Sequence, residues 1–194
     1  MSWRPPRPLV VVAAAAALLG IAAGSWFFNR ALPAAVPPPA ARPAVDSAGI
    51  GDALPPITLP DLDGQPVALA RFGGRPLLIN VWASWCAPCV EEMPALATFA
   101  AAQPADGVQV LGLALDTPEA VRGFLAQVPV AYPIVLDTPG PANASVRLGN
   151  AQGLLPYSVL VDAQGRIVKQ KLGPFTHGEI EDWAGSVKDP PNRN

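Results

Sequence analysis

The feature that most constrains the fold is an apolar strand that runs directly into two cysteines and a helix. Leu77 to Trp82 is an almost unbroken apolar run, as expected of a central strand covered on both faces. From residue 87 to residue 102 the apolar side chains recur at helical spacing. The pattern therefore predicts that Cys86 and Cys89 occupy a strand-to-helix junction and the first turn of the helix.

Strands and helices alternate along the rest of the globular region. Alternating apolar residues on either side of Asp63-Gly64 predict a β-hairpin before the central strand. Further strands are predicted at 108–115, 134–136, 157–161 and 167–172, and helices at 117–127, 142–148 and from Thr176 to about Val187. This order predicts an α/β sandwich with a central mixed β-sheet, flanking helices and the hairpin as an N-terminal extension.

The N-terminal segment, residues 1–30, has the pattern of a membrane anchor. Arg4 and Arg7 precede an uncharged apolar stretch over residues 9–28, and a helix of that length covers roughly 30 Å of bilayer. The positive charges before the stretch favour a cytoplasmic N-terminus and a domain on the outer side. We predict one uncleaved transmembrane helix; a cleaved signal peptide is the alternative.

Three further regions follow the predicted anchor. Residues 31–47 are rich in proline and alanine, a composition that favours an extended linker. The globular domain is predicted over residues 48–188, and residues 189–194 form a polar tail. From residue 48 onward nine lysines and arginines face fourteen acidic residues, a net charge of −5. That balance excludes a nucleic-acid partner, and no phosphate-binding glycine motif points to a nucleotide cofactor.

The two cysteines have the spacing of a thiol-disulfide exchange motif. Unpaired N–H groups and the dipole at a helix start stabilise a thiolate, so Cys86 is predicted to be the more exposed thiol and the nucleophile. Cys89 is predicted to resolve the mixed disulfide, leaving a Cys86–Cys89 disulfide. A purely structural disulfide is the first alternative, although so small a loop stabilises little. A metal site is the second: two thiols and His177 cannot complete a zinc site, but Cys86, Cys89 and Met93 could bind Cu(I).

The segment LLINVWASWCAPCVEEMP, residues 77–94, resembles the TlpA/ResA/CcmG-like (DsbE-like) family of membrane-anchored, thioredoxin-like oxidoreductases. The resemblance extends from GDALPPITLPDLDGQPVAL, which begins at Gly51, to LLPYSVLVDAQGRIV, which ends at Val168. It implies a thioredoxin-like sandwich with a helical insertion near residues 115–127. It implies no cofactor and no resident metal.

The resemblance also assigns roles to residues outside the cysteine pair. Pro156 matches a cis-proline that faces the dithiol and helps to bind substrate backbone, with Leu155 before it; a plain position on an edge strand is the alternative. Glu92 matches an acidic residue that exchanges a proton with Cys89, whereas from the residues alone it could be a surface glutamate. Asn80 stands where thioredoxin carries a buried acid.

Four residues around the cysteines have predicted supporting roles. Ala87 and Pro88 tune the motif, because proline fixes the backbone and withholds a donor near the sulfurs. Pro94 is expected to kink the helix. Trp85 is expected to shield one side of the dithiol and to contact substrate, whereas Trp82 is assigned to the core.

The function implied by the resemblance is reduction of disulfides in exported proteins. The expected location is the inner (cytoplasmic) membrane, single-pass, with the catalytic domain in the periplasm or outside. The expected electron donor is a membrane protein, and candidate clients are apocytochromes c and copper-site proteins. Tyr157 stands where the cytochrome-maturation branch has glutamate, so the client stays open. A copper-binding chaperone is the first alternative. A thiol peroxidase is the second, although Ala83 replaces its usual threonine.

Overall fold

The computed structural model describes residues 20–21, 25–26, 46–176, 178–185 and 187. The predicted anchor at 1–30 lies almost entirely outside these residues, and only residues 46 and 47 of the predicted linker at 31–47 are described. The tail at 189–194 and His177 lie outside the described residues. Within the described part of the chain, no helix combines the length and the apolar character needed to cross a bilayer. The described residues from 46 onward belong to one compact unit.

A small hairpin precedes the main sheet, as predicted. Strands β1 (Thr58–Pro60) and β2 (Pro66–Ala68) pair antiparallel, with Leu59 opposite Val67. At the turn, Asp61 Oδ1 accepts hydrogen bonds from the backbone N–H groups of Asp63 and Gln65. Gly64 has a φ of +77°, a conformation that favours glycine over residues with a side chain. The hairpin is followed by a 3-10 turn, Leu69–Phe72.

The main sheet has five strands in the order β5-β4-β3-β6-β7. Strand β3 pairs parallel with β4 and antiparallel with β6, so the sheet is mixed as predicted. Because β3 lies in the middle and is buried on both faces, its sequence is apolar throughout except at Asn80. The strand bounds are Leu77–Trp82 (β3), Gln109–Leu115 (β4), Ile134–Asp137 (β5), Tyr157–Val161 (β6) and Ile167–Leu172 (β7).

From residue 46 onward, the described residues contain four α-helices: Ala87–Ala102 (α1), Pro118–Leu125 (α2), Ala144–Arg147 (α3) and Glu179–Gly185 (α4). Thr117 caps α2, with its side chain accepting from Ala120 N at 3.2 Å. Helix α2 ends two residues before the predicted Gln127, because Gln127 N donates to the oxygen of Phe124 three residues earlier and closes a tighter turn. Helix α4 ends at Gly185, slightly before the predicted end near Val187.

The core lies on both faces of the sheet. Leu78 and Trp82 of β3 face the side that carries α1, whereas Ile79 and Val81 face the side that carries the hairpin. Trp82 is fully buried, and its ring centroid lies 5.2 Å from that of Phe124, which confirms its predicted place in the core. Packing on both faces of the sheet therefore holds β3 and α1 in place, and these two elements meet at the cysteines.

Candidate active site

Cys86 and Cys89 form a disulfide at the start of α1, as predicted. Cys86 is the N-cap residue of the helix and Cys89 lies in its first turn, with an S–S distance of 2.04 Å. Cys86 is 6% exposed and Cys89 is fully buried. The prediction that Cys86 is the more exposed of the two cysteines is therefore confirmed.

The turn that delivers Cys86 is held by backbone and side-chain hydrogen bonds. Cys86 N donates to the oxygen of Ala83 at 3.1 Å, which closes the turn between β3 and α1. Asp116, just after β4, accepts from Ser84 N at 3.0 Å and from Ser84 Oγ at 2.6 Å. Partial burial acts to raise the pKa of Asp116, but the hydrogen bonds from Ser84 and Thr117 outweigh it and hold that pKa below its usual value. Sequence analysis missed this Asp116–Ser84 contact.

Leu155 and Pro156 lie at the same end of the sheet as the cysteines. The register pairs Tyr157 of β6 with Val81 of β3, so Pro156 enters the sheet beside the end of β3. The Leu155–Pro156 peptide bond is cis, as the resemblance implied. The alternative of an edge position is wrong, because β6 lies between β3 and β7. Leu155 is partly buried and packs against core residues from both faces of the sheet.

Trp85 is the most exposed large apolar side chain beside the dithiol, at 67% exposure. A tryptophan this exposed next to a reactive sulfur offers apolar surface to an incoming protein. Its roles as a shield and a substrate contact remain predictions. Ala87 and Pro88 are also exposed, in the first turn of α1, where Pro88 lacks an N–H group. Helix α1 continues through Pro94 to Ala102, and its predicted kink remains a prediction.

Glu92 is buried on α1, so the alternative of a surface glutamate is wrong. Its side chain is 4% exposed, and it shares a helix face with Cys89 three residues earlier. Oε1 accepts from Asn80 Nδ2 at 2.8 Å, and Oε2 accepts from the backbone N of Phe175 at 2.8 Å. Burial raises the pKa of Glu92 above its usual value, although the bonds from Phe175 and Asn80 partly oppose this. A carboxyl group whose pKa is raised in this way takes up a proton more readily than an ordinary glutamate, which is what proton exchange with Cys89 would require.

Sequence analysis missed Ser158, which extends this polar cluster. Ser158 lies on β6 directly opposite Asn80 of β3, and Asn80 Nδ2 donates to Ser158 Oγ at 3.2 Å. Both side chains are fully buried. The available signal was that each is the single polar residue inside an apolar strand, LLINVW and YSVLV respectively. Periodicity alone did not show that the two strands are neighbours.

The metal alternatives involve Cys86, Cys89, Met93 and His177, of which His177 lies outside the described residues. The described residues contain no group of three or more His, Cys, Asp or Glu side chains placed to hold a metal ion. Met93, the third soft ligand considered for Cu(I), is fully buried among apolar side chains on α1.

Residues 50–186 match the Redoxin family. The thiol-disulfide oxidoreductase ResA of Bacillus anthracis is 30% identical over 139 residues, which covers 71% of this chain and 78% of that protein. A crystal structure from Chlorobium tepidum, of a protein whose proposed identity is the thiol:disulfide interchange protein DsbE, superposes with a TM-score of 0.62. It is 30% identical and covers 73% of this chain and 97% of that one.

A second solved structure gives the same result. The thioredoxin-related protein from Neisseria meningitidis serogroup B superposes with a TM-score of 0.61 and 31% identity. The match covers 67% of this chain and 98% of that one. The mixed sheet, the disulfide at the start of α1 and these likenesses agree with one another. The chain therefore belongs to the Redoxin family, has the thioredoxin-like fold and is a thiol-disulfide oxidoreductase related to ResA.

Proposed function

We propose that this oxidoreductase is a membrane-anchored reductant of disulfides in exported proteins. The observation that carries the proposal is the position of the dithiol: Cys86 caps α1 with some surface exposed, while Cys89 is buried beside Glu92. Its relatives are named thiol-disulfide oxidoreductases, which supports exchange chemistry at this pair. The direction of electron flow and the cellular location are the parts that the proposal adds.

In the proposed reaction, the Cys86 thiolate attacks one sulfur of a substrate disulfide. A bond forms between Cys86 and that sulfur, and the other substrate sulfur leaves as a thiolate that takes up a proton. The unpaired N–H groups at the start of α1 stabilise the Cys86 thiolate before attack. Because Cys86 is the cysteine with exposed surface, the mixed disulfide forms there.

Cys89 completes the exchange. Its thiol gives a proton to Glu92, and the resulting thiolate attacks Cys86 and releases the second substrate sulfur, which is protonated in turn. Two electrons have then passed from the dithiol to the substrate, and Cys86 and Cys89 are left as a disulfide. A further round needs a dithiol donor of two electrons and two protons, and we assign that role to a membrane protein that carries electrons from the cytoplasm.

The proposed location rests on the sequence before the domain. The apolar stretch at 9–28 is long enough to span a bilayer, and Arg4 and Arg7 precede it. The proline-rich linker would let the dithiol reach partners away from the membrane surface. Apocytochromes c and copper-site proteins are the client classes that we would examine first.

A trapping experiment tests the proposal. A Cys89→Ser variant expressed in the native host should accumulate mixed disulfides on Cys86 with exported proteins, and a Cys86→Ser variant should trap far fewer because its remaining sulfur is buried. The reduced wild-type domain should also reduce insulin disulfides. Tight Cu(I) binding without disulfide reduction would instead favour a copper chaperone, and rapid turnover of peroxide would favour a peroxidase.

A further inference from the structure

A chain of buried hydrogen bonds connects the strand after Pro156 to the carboxyl group beside the dithiol. It begins at Ser158 on β6, passes through Asn80 on β3 and ends at Glu92 on α1. Ser158 and Asn80 are fully buried and Glu92 nearly so. The rest of this part of the sheet is apolar, so these three buried polar side chains depend on one another for most of their side-chain hydrogen bonds.

Asn80 uses both hydrogens of its side-chain amide in this series of hydrogen bonds. Its Nδ2 donates to Glu92 Oε1 at 2.8 Å and to Ser158 Oγ at 3.2 Å. Asn80 Oδ1 has no hydrogen-bond partner in the part of the chain that the structure describes. Rotating the amide by 180° would place Oδ1 against the carboxylate and turn both N–H groups away from their acceptors. The observed orientation therefore favours the ionised form of Glu92.

Ser158 supplies the second acceptor that keeps the amide in this orientation. Without its hydroxyl, one N–H group of Asn80 would be buried without an acceptor, which costs free energy. The amide would then rotate or shift toward another partner, and its donation to Glu92 would weaken. The serine thus acts on the carboxyl group without touching it.

We propose that Ser158 and Asn80 are positioning residues for disulfide exchange, with the Ser158 hydroxyl holding the Asn80 amide so that it donates to the Glu92 carboxylate. The inference rests on the proposed function, in which Glu92 accepts the proton of Cys89. It adds two residues from different strands to the machinery of the reaction.

Other charged or titratable groups also influence Glu92 and must be kept constant in a test. Lys171 on β7 lowers the pKa of Glu92, and Glu179 at the start of α4 raises it. Burial raises the pKa of Tyr132, just before β5, and the charge on Glu92 raises it further. Cys89 lies one turn before Glu92 on α1, and it does not titrate in the disulfide form.

The test is a titration of the Glu92 carboxyl carbon by NMR in the oxidised protein, where the cysteines are silent. Ser158→Ala should raise the midpoint by about half a pH unit or more, because the ionised form loses support. Ser158→Thr keeps a hydroxyl and should retain the wild-type midpoint. Asn80→Ala should raise the midpoint by about one pH unit or more. If Asn80→Ala fails to fold, the two serine variants still decide the question.

Ser145→Ala is the matched control. Ser145 is a fully buried serine on α3 whose Oγ accepts from Asn150 Nδ2 at 2.9 Å, so its loss removes the same kind of bond elsewhere. It should lower stability but leave the midpoint of Glu92 unchanged. Equal midpoints in wild type and Ser158→Ala would overturn the proposal.

A second readout connects the hydrogen bonds to the reaction. The acidic limb of the pH profile for insulin reduction should move upward in Ser158→Ala by the same amount as the Glu92 midpoint. A midpoint that moves while the pH profile stays fixed would refute the role in exchange. A wild-type protein that reduces no disulfide at any pH would refute the proposed function, whereas the titration of the oxidised protein would still decide the positioning of Glu92.

Discussion

Asn80 of β3 and Glu92 of α1 meet across the interface between the central strand and the helix that carries the cysteines, with Asn80 Nδ2 2.8 Å from Glu92 Oε1. The backbone N of Phe175 donates to the other carboxylate oxygen. An amide on β3 therefore donates a hydrogen bond to an acid on the neighbouring helix. In thioredoxin, the acid itself stands at the strand position that Asn80 occupies here. The carboxyl group that we propose as proton acceptor therefore lies on the same helix as the two cysteines.

Replacing Glu92 tests its role in proton transfer. Glu92→Gln should slow disulfide reduction about tenfold or more, because the amide cannot take the proton of Cys89. The wild-type rate should also fall in acid, as the carboxylate becomes protonated, whereas the variant should lose that acidic limb. The exposed neighbour provides the control: Glu91→Gln should keep the wild-type rate and profile. Equal rates in all three proteins would remove Glu92 from the mechanism.

A comparison of wild type with Glu92→Gln should also show a pH dependence of stability. The pKa of Glu92 is raised in the folded state above its ordinary value of 4.5, so the folded chain binds this proton more tightly than the unfolded chain. Stability from this source is fully present below pH 4.5 and is lost as the pH rises through the folded-state pKa. Urea unfolding should therefore show wild type losing stability relative to Glu92→Gln as the pH rises from 4.5 through the folded-state pKa of Glu92. A constant difference would contradict the raised pKa.

Asp116 should stabilise the turn that presents Cys86. Asp116→Ala removes the acceptor of two Ser84 hydrogen bonds, so we expect a loss of about 1–2 kcal/mol in the free energy of unfolding at neutral pH. Because the folded-state pKa is below the ordinary 3.8, this stabilisation is present above pH 3.8 and is lost as the pH falls through the folded-state pKa. Chemical denaturation measures it, with the exposed Asp106→Ala as control. A similar small effect for both variants would argue against the contact.

Gly149, just after α3, is expected to tolerate no side chain. Its φ is +109°, and an added Cβ would lie 2.7 Å from the hydroxyl of Tyr157 and 2.8 Å from the backbone oxygen of Ala48, with Gln170 nearer still. Gly149→Ala should therefore lower the free energy of unfolding by about 2–4 kcal/mol.

Gly123 in α2 gives the opposite expectation. Apart from its chain neighbours and the backbone of its own helix, an added Cβ there meets no heavy atom within 4 Å, and alanine is the better helix former. Gly123→Ala should raise stability by about 0.5–1 kcal/mol, as measured by thermal or urea unfolding. For the Gly149 prediction, a Gly149→Ala variant as stable as wild type in the same measurement would contradict the packing described around β6 and β7.

Much of the fold could be predicted from local patterns. The run from Leu77 to Trp82, the hairpin turn at Asp63-Gly64 and the cap at Thr117 each depend on residues close in sequence, and the structure confirms all three. The spacing of Thr176 and Glu179 correctly indicated a helix start, since Glu179 Oε2 accepts from Thr176 N and Oγ1.

The surroundings of Glu92 could not be predicted in this way. Helical spacing could have placed Glu92 on the same face as Cys89, but it does not show which polar groups face that side. The donors come from Asn80, twelve residues away, and Phe175, 83 residues away. The contact between Ser158 and Asn80 depends on the pairing of β6 with β3, which joins residues 78 positions apart. These partners are set by the order of strands in the sheet, which no short stretch of sequence specifies.

The reduction potential of the Cys86–Cys89 pair tests the central claim most directly. It can be measured by equilibrating the domain with glutathione buffers and quantifying the dithiol and disulfide forms. The account predicts a reducing value, more negative than about −180 mV and toward the roughly −270 mV of thioredoxin. A value near −120 mV, typical of a strong oxidant, would contradict it.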